Sequence, residues 1–172
     1  MDQKVSPEYI QTSLAASLTL GFQEGAFHRN AKLKGLNLLL HYEEGCLGRC
    51  HFCGLSRSRR EDPRGKTFIR VDWPLYLLEE IIQRAKGKDH IHRVCISMIT
   101  HPRSDEDSVA VLKAWTSRID PATIPVSILS NPTTMERTDV RRLRDLGADI
   151  FTVALDAATP ELFDRTRGKG VQ

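Results

Sequence analysis

Long apolar runs are missing from this chain. No stretch approaches the roughly 18 uninterrupted apolar residues of a membrane-spanning helix, and Met1-Asp2-Gln3-Lys4 opens without the basic-then-apolar pattern of a secretory signal. A cytoplasmic address is therefore expected, a compartment where thiols stay reduced. Charge of one sign is scarce as well, since a net charge of +3 is too small by itself to imply nucleic acid. Aromatic residues make up only 6% of the chain, and hardly any interleave with the arginines, as a single-strand-binding platform would require. There is no short repeat of the solenoid kind. What remains is 172 residues, 40% hydrophobic and 27% charged, the make-up of one ordinary domain with its own core.

Cysteine is also rare, but it is unevenly spread. Of four cysteines, three fall in the stretch Gly45-Cys46-Leu47-Gly48-Arg49-Cys50-His51-Phe52-Cys53-Gly54-Leu55. In a chain with no secretory signal, clustered thiols point to metal ligation or redox chemistry before disulfides. An odd number at C-x3-C-x2-C spacing also argues against paired bridges. A structural zinc site would need a fourth ligand, for which only Cys95 and His51 are available, and neither is well placed. Three thiolates suit an iron–sulfur cluster better. On a cubane they would leave one iron open for a substrate or cofactor.

The C-x3-C-x2-C spacing with Phe52 just before the third cysteine resembles the signature of the radical S-adenosylmethionine superfamily. The resemblance implies that Cys46, Cys50 and Cys53 hold a [4Fe-4S] cluster whose fourth iron is chelated by S-adenosylmethionine, with Phe52 where the backbone meets the adenine. Cys53-Gly54-Leu55-Ser56-Arg57 resembles the C-G-L-x-R form of the biotin synthase-like branch. The flanks Asn37-Leu38-Leu39-Leu40-His41-Tyr42 and Phe68-Ile69-Arg70-Val71-Asp72-Trp73-Pro74 most resemble a subunit of the two-protein, archaeal-type lipoyl synthases.

The rest of the chain supplies a scaffold. Ser6-Pro7-Glu8 has the cap, proline and acid of a helix start, and Tyr9, Ile10, Leu14, Leu18 and Phe22 follow at helical spacing. Residues 1–34 are therefore expected to form an N-terminal helical extension. From Gly35 the pattern alternates. Leu36–Leu40 reads as a strand buried on both faces of a parallel sheet, Val94–Ile99 as a second buried strand, and Val126–Leu129 and Ile150–Leu155 as a third and a fourth. Helices are expected over Leu75–Ala85, Ser104–Arg118 and Thr134–Leu146, with one more starting at Thr159-Pro160-Glu161. Strand and helix alternating four times predicts an α/β fold of βα units, with the chemistry at the strands' C-terminal ends. The cysteine loop lies at the end of the first of them.

The resembled family has a partial barrel of six βα units, so residues 35–172 are expected to be the N-terminal part of a truncated barrel whose fourth strand has an exposed outer edge. After the second strand the family's G-G-E-like segment is replaced by Ile99-Thr100-His101-Pro102. Thr100 and His101 there either line the site or open a polar loop. After the third strand, Asn131 either donates toward the same edge or makes a turn. Leu155-Asp156-Ala157-Ala158-Thr159-Pro160-Glu161 resembles the branch's L-D-x-S-P-E segment with one extra residue, which implies that Asp156 holds the cofactor's ribose. Ala154 stands where a polar partner would be expected. Arg57, Arg59, Arg60, Arg64 and Lys66 make a basic patch, a solvated face or a dock for an acidic partner. Cys95 is expected as a small core residue.

The activity implied by the resemblance is reductive cleavage of S-adenosylmethionine to a 5′-deoxyadenosyl radical that abstracts hydrogen. In a lipoyl-synthase-like protein, sulfur is then inserted into an acyl chain. The implied partners are an electron donor such as ferredoxin or flavodoxin, a second radical S-adenosylmethionine subunit and an acyl-carrier-type protein substrate; with no second cysteine cluster in the sequence, a partner or further sequence would have to supply the sulfur. Two other readings stay open: another maturase or mutase of the same branch, and a non-catalytic zinc- or cluster-binding module.

Overall fold

The computed structural model describes residues 3–56, 72–130 and 135–167. It is an α/β structure built on one six-stranded sheet in the order β3-β1-β2-β4-β5-β6. The strands are β1 (Tyr9–Thr12), β2 (Gly35–Leu40), β3 (Leu75–Leu77), β4 (Arg93–Ser97), β5 (Val126–Ser130) and β6 (Ala148–Val153). The helices are α1 (Leu14–Leu20), α2 (Leu78–Ala85), α3 (Ser104–Thr116), α4 (Arg137–Asp145) and α5 (Pro160–Arg167). β2, β4, β5 and β6 run parallel, and β1 is antiparallel to both β2 and β3. The architecture is consistent with the partial βα barrel that the sequence resemblance implies. No helix among the described residues is long and apolar enough to cross a membrane.

The parallel part follows the alternation in the sequence. Pairing aligns Leu36 with Val94 and Val126, and Leu38 with Ile96 and Ile128. All six are essentially inaccessible and share a core with Ile81, Ile82, Val111, Leu112 and Trp115 of the helices. Burying such aliphatic side chains contributes about 1.5–3 kcal/mol each. This face is buried throughout, whereas the other is buried at Leu39, Ser97 and Ser127 and opens at Asn37. On the other face, Asn37 aligns with Cys95 and Ser127, and Leu39 with Ser97 and Leu129. Asn37 is exposed and Cys95 half-buried. Cys95 therefore lies outside the helix-packed core, on a polar face with its sulfur 3.9 Å from the Ser97 hydroxyl.

The N-terminal segment departs from the helix expected from Ser6. Tyr9–Thr12 is a strand, and the helix begins only at Leu14, where Ser13 accepts the Ala16 N–H at 3.2 Å. The bare edge of β2 decides the matter, because Ile10, Gln11 and Thr12 pair with Leu40, Leu39 and Leu38. Tertiary pairing overrides a local helical pattern in so short a run. Ser6 is a buried anchor, its hydroxyl accepting the His41 N–H at 2.9 Å and donating to Tyr9 O at 3.0 Å. A strand from before residue 35 thus belongs to the same sheet as the βα units. Leu75–Leu77 likewise extends the sheet before α2 begins.

At the far edge, β6 pairs only with β5 among the described residues. Two of its side chains, Ile150 and Val153, are exposed. Thr134, expected at the start of α4, lies outside the described residues; α4 follows Glu136, which forms a reciprocal cap with Asp139.

Candidate metal centre

The centre grows from the C-terminal end of β2. After Leu40 the chain passes through His41 and Tyr42, then enters the cysteine loop by a turn in which Gly45 has φ 74° and its N–H donates to Tyr42 O at 3.0 Å. That left-handed conformation suits glycine. The loop closes on itself through Cys46 N–H to Leu55 O at 2.9 Å and Cys53 N–H to Cys50 O at 3.1 Å.

Backbone amides converge on the sulfurs. Cys46 Sγ accepts from Gly48 N–H and from Thr100 N–H, both at 3.3 Å, and Cys53 Sγ accepts from Leu55 N–H at 3.5 Å. Gly48 is buried, and a Cβ built on it would lie 3.3 Å from Cys46 Sγ and 3.7 Å from Cys50 Sγ. The two sulfurs thus border a space that a side chain would fill.

Burial holds the Cys50 thiol above its ordinary pKa range, Arg167 opposes the rise, and Cys53 and Cys46 add to it. Among the described residues no group of three His, Cys, Asp or Glu is drawn together around a single ion. The thiol donors, the amides aimed at them and the glycine cradle fit an iron–sulfur group.

β4 supplies the wall behind the loop. Besides its amide on Cys46, Thr100 accepts the Leu47 N–H on its carbonyl at 2.8 Å. His101 turns away into the protein. Only 8% exposed, it stacks on Tyr42 with centroids 3.7 Å apart and an interplanar angle of 10°, and its Nδ1 accepts the Arg103 N–H at 3.2 Å. Its Nε2 lies 3.9 Å from Glu44. Below that stack, Tyr42 donates to Asp107 at 2.9 Å, and Arg103 pairs with the same carboxylate at 3.2 Å. Burial, then the Asp107 hydrogen bond, pushes the Tyr42 phenol far above its usual range.

Of the other sequence candidates, Phe52 projects from the loop and is 63% exposed. Asp156, just past β6, forms an ion pair with Arg167. Asn131 and the basic residues Arg57, Arg59, Arg60, Arg64 and Lys66 lie outside the described residues.

Two features carried no signal in the sequence. One is the end of α5, where the carbonyls of Thr166 and Arg167 accept the N–H groups of His51 and Arg49 at 2.9 and 3.0 Å. The other is a cleft of about 470 Å³ on the β1 side of the loop, lined by Gln11, His41, Glu43, Gly54, Leu55 and Ser56 among others. Burial lowers the His41 pKa, with Glu43 and Glu44 acting against it.

Comparison with curated proteins finds no match, and neither does comparison with solved structures. The family model of the Radical SAM superfamily matches residues 42–172, a span that takes in the cysteine loop and every βα unit after it. The chain belongs to the radical S-adenosylmethionine superfamily.

Proposed function

We propose that Cys46, Cys50 and Cys53 bind a [4Fe-4S] cluster and that the chain uses it with S-adenosylmethionine to abstract a hydrogen atom from a substrate. The observation that carries this reading is the cysteine loop at the C-terminal end of β2, with Thr100 at the end of β4 directing its amide to Cys46. When bound, such a cluster supplies the electron that splits S-adenosylmethionine into methionine and a 5′-deoxyadenosyl radical.

The protein's part is to hold and to exclude. Three thiolates leave one iron for the cofactor, and the end of β6 presents Asp156 for the ribose hydroxyls, a pairing that charge-assisted hydrogen bonds favour. On this reading Thr100 and the backbone at Phe52 also meet the cofactor. His101 serves from behind, by packing against Tyr42. The finer reading is a protein of the biotin synthase-like branch that takes part in sulfur insertion, as in two-protein lipoyl synthases. It is supported by Cys53-Gly54-Leu55-Ser56-Arg57 and by the segment from Leu155 to Glu161. On that reading a second radical S-adenosylmethionine subunit supplies sulfur, an acyl-carrier-type protein carries the substrate, and a ferredoxin or flavodoxin delivers electrons.

Electron paramagnetic resonance on anaerobically reconstituted, dithionite-reduced protein tests it. A cluster signal altered by S-adenosylmethionine is the expected result. Stoichiometric zinc with no cluster would overturn the reading, and an unaltered cluster signal would remove the cofactor from it.

A further inference from the structure

The cysteine loop is gripped from two sides, and the second grip has a charge attached to it. A helix ends on carbonyls that lack intrahelical partners. At the end of α5, Thr166 O takes the His51 N–H at 2.9 Å and Arg167 O takes the Arg49 N–H at 3.0 Å, so the loop flanking Cys50 is pinned there. The same residue that closes this latch carries a guanidinium into the site. Arg167 pairs with Asp156, each side chain only 20% exposed, and its guanidinium carbon lies 5.7 Å from the Phe163 ring centroid. Its charge reaches the Cys50 thiol, where it opposes the effect of burial.

One donor of this guanidinium is left over. Among the described residues, Arg167 Nε is buried without a hydrogen-bond partner. Buried N–H groups almost always find an acceptor, and leaving one without is unfavourable. An acceptor that arrives with the metal centre would meet the demand, and a thiolate-bound cluster is an anionic one.

We propose that Arg167 is a positioning residue of the metal centre, fixed by Asp156 on one side and directing its remaining N–H and its charge at the group held by Cys50, whose reduction potential it raises. This rests on the cluster reading given above. The physical reason is electrostatic. Reduction adds negative charge to the cluster, and a cation nearby in a half-buried site stabilises the reduced form. Asp156 partly cancels that cation. Removing Arg167 and removing the charge of Asp156 should therefore move the potential in opposite directions, a signature that a merely structural role for either residue would not produce.

The test is a redox titration followed by electron paramagnetic resonance, without S-adenosylmethionine, on reconstituted wild type, Arg167→Met, Arg167→Lys and Asp156→Asn. The expected midpoint is more negative than wild type in Arg167→Met, close to wild type in Arg167→Lys and more positive in Asp156→Asn, at equal iron content. Unchanged midpoints in Arg167→Met and Asp156→Asn, or shifts in the same direction, would overturn the proposal. If far-UV circular dichroism or iron content shows that Arg167→Met does not fold or load, Asp156→Asn decides alone, and its midpoint must rise. Failure of the wild type to take up a cluster would overturn the cluster reading and this proposal with it. A normal wild-type cluster with unmoved variants removes only the role of Arg167.

Discussion

Thr100 grips the first cysteine by its backbone at two points, its N–H aimed at Cys46 Sγ at 3.3 Å and its carbonyl taking the Leu47 N–H at 2.8 Å. Two strands that are neighbours in the sheet, β2 and β4, thus both hold the loop.

Single substitution of Cys46, Cys50 or Cys53 by alanine should then abolish iron uptake while the sheet stays intact. Cys95→Ala should leave iron uptake unchanged, because Cys95 sits beside Ser97 on the polar face of β4 and outside the loop. Iron content and far-UV circular dichroism check both. Loss of iron in Cys95→Ala would mean that the fourth cysteine ligates after all.

Much of this was legible in the chain, for a physical reason. Leu36–Leu40, Val94–Ile96 and Val126–Ile128 are written in residues whose burial decides the fold, so their pattern survives into the sheet. Tyr9–Thr12 was not legible as a strand, because its pairing partner lies well downstream and the same residues also fit a helical spacing. The three cysteines were legible because thiols are chemically specific. The role of Thr100 was not, since it acts through its amide and carbonyl, which every residue but proline offers. His101 looked like a site residue by position, yet it is spent on Tyr42. Arg167 escaped notice because α5 brings it back to the loop only in three dimensions.

Tyr42→Phe isolates the network under the loop. It keeps the ring stacked on His101 but removes the 2.9 Å hydrogen bond to Asp107, leaving that carboxylate to Arg103. Taking one partner from a buried carboxylate should cost about 1–2 kcal/mol in urea unfolding. No change in the midpoint would show that Asp107 draws nothing from the phenol.

Acid should loosen β6 from β4 through one pair. Arg93 holds Asp149 with two hydrogen bonds of 2.6 and 2.9 Å, and this keeps the carboxyl below its ordinary value of 3.8. A lowered carboxylate pKa stabilises the fold above the unfolded value and ceases to do so as the pH falls through the folded one. Both side chains are largely open to solvent, so the contribution is about 0.5 kcal/mol. Asp149→Asn should be less stable than wild type by that amount at pH 6, the gap closing toward pH 3. A gap that persists at pH 3 would assign the effect to shape and not to charge.

The outer edge of β6 is a further point of attack. Val153 is 50% and Leu155 93% exposed beside a strand with one neighbour among the described residues. Exposed apolar edges pair with other chains. Val153→Lys should reduce concentration-dependent association in sedimentation velocity while shifting unfolding by no more than about 0.5 kcal/mol. Equal association in both proteins would place the contact elsewhere.

Gly48 tests whether the space between the thiols matters. Its N–H already donates to Cys46 Sγ at 3.3 Å, and an alanine methyl would stand 3.3 Å from that sulfur and 3.7 Å from Cys50 Sγ. The first contact is tighter than ordinary packing, and overfilling a fitted space costs about 1–3 kcal/mol. That cost falls mainly on the loaded state, because metal-free thiols can rotate away whereas thiolates bonded to a cluster cannot. Gly48→Ala should therefore lose iron several-fold on reconstitution while its metal-free form unfolds close to wild type. Gly35→Ala is the matched control, since a methyl there meets nothing nearer than Arg93 O at 3.9 Å. Full iron loading in Gly48→Ala would mean that the metal sits away from the face of the loop that Gly48 lines, and the three sulfurs would have to turn outward to reach it.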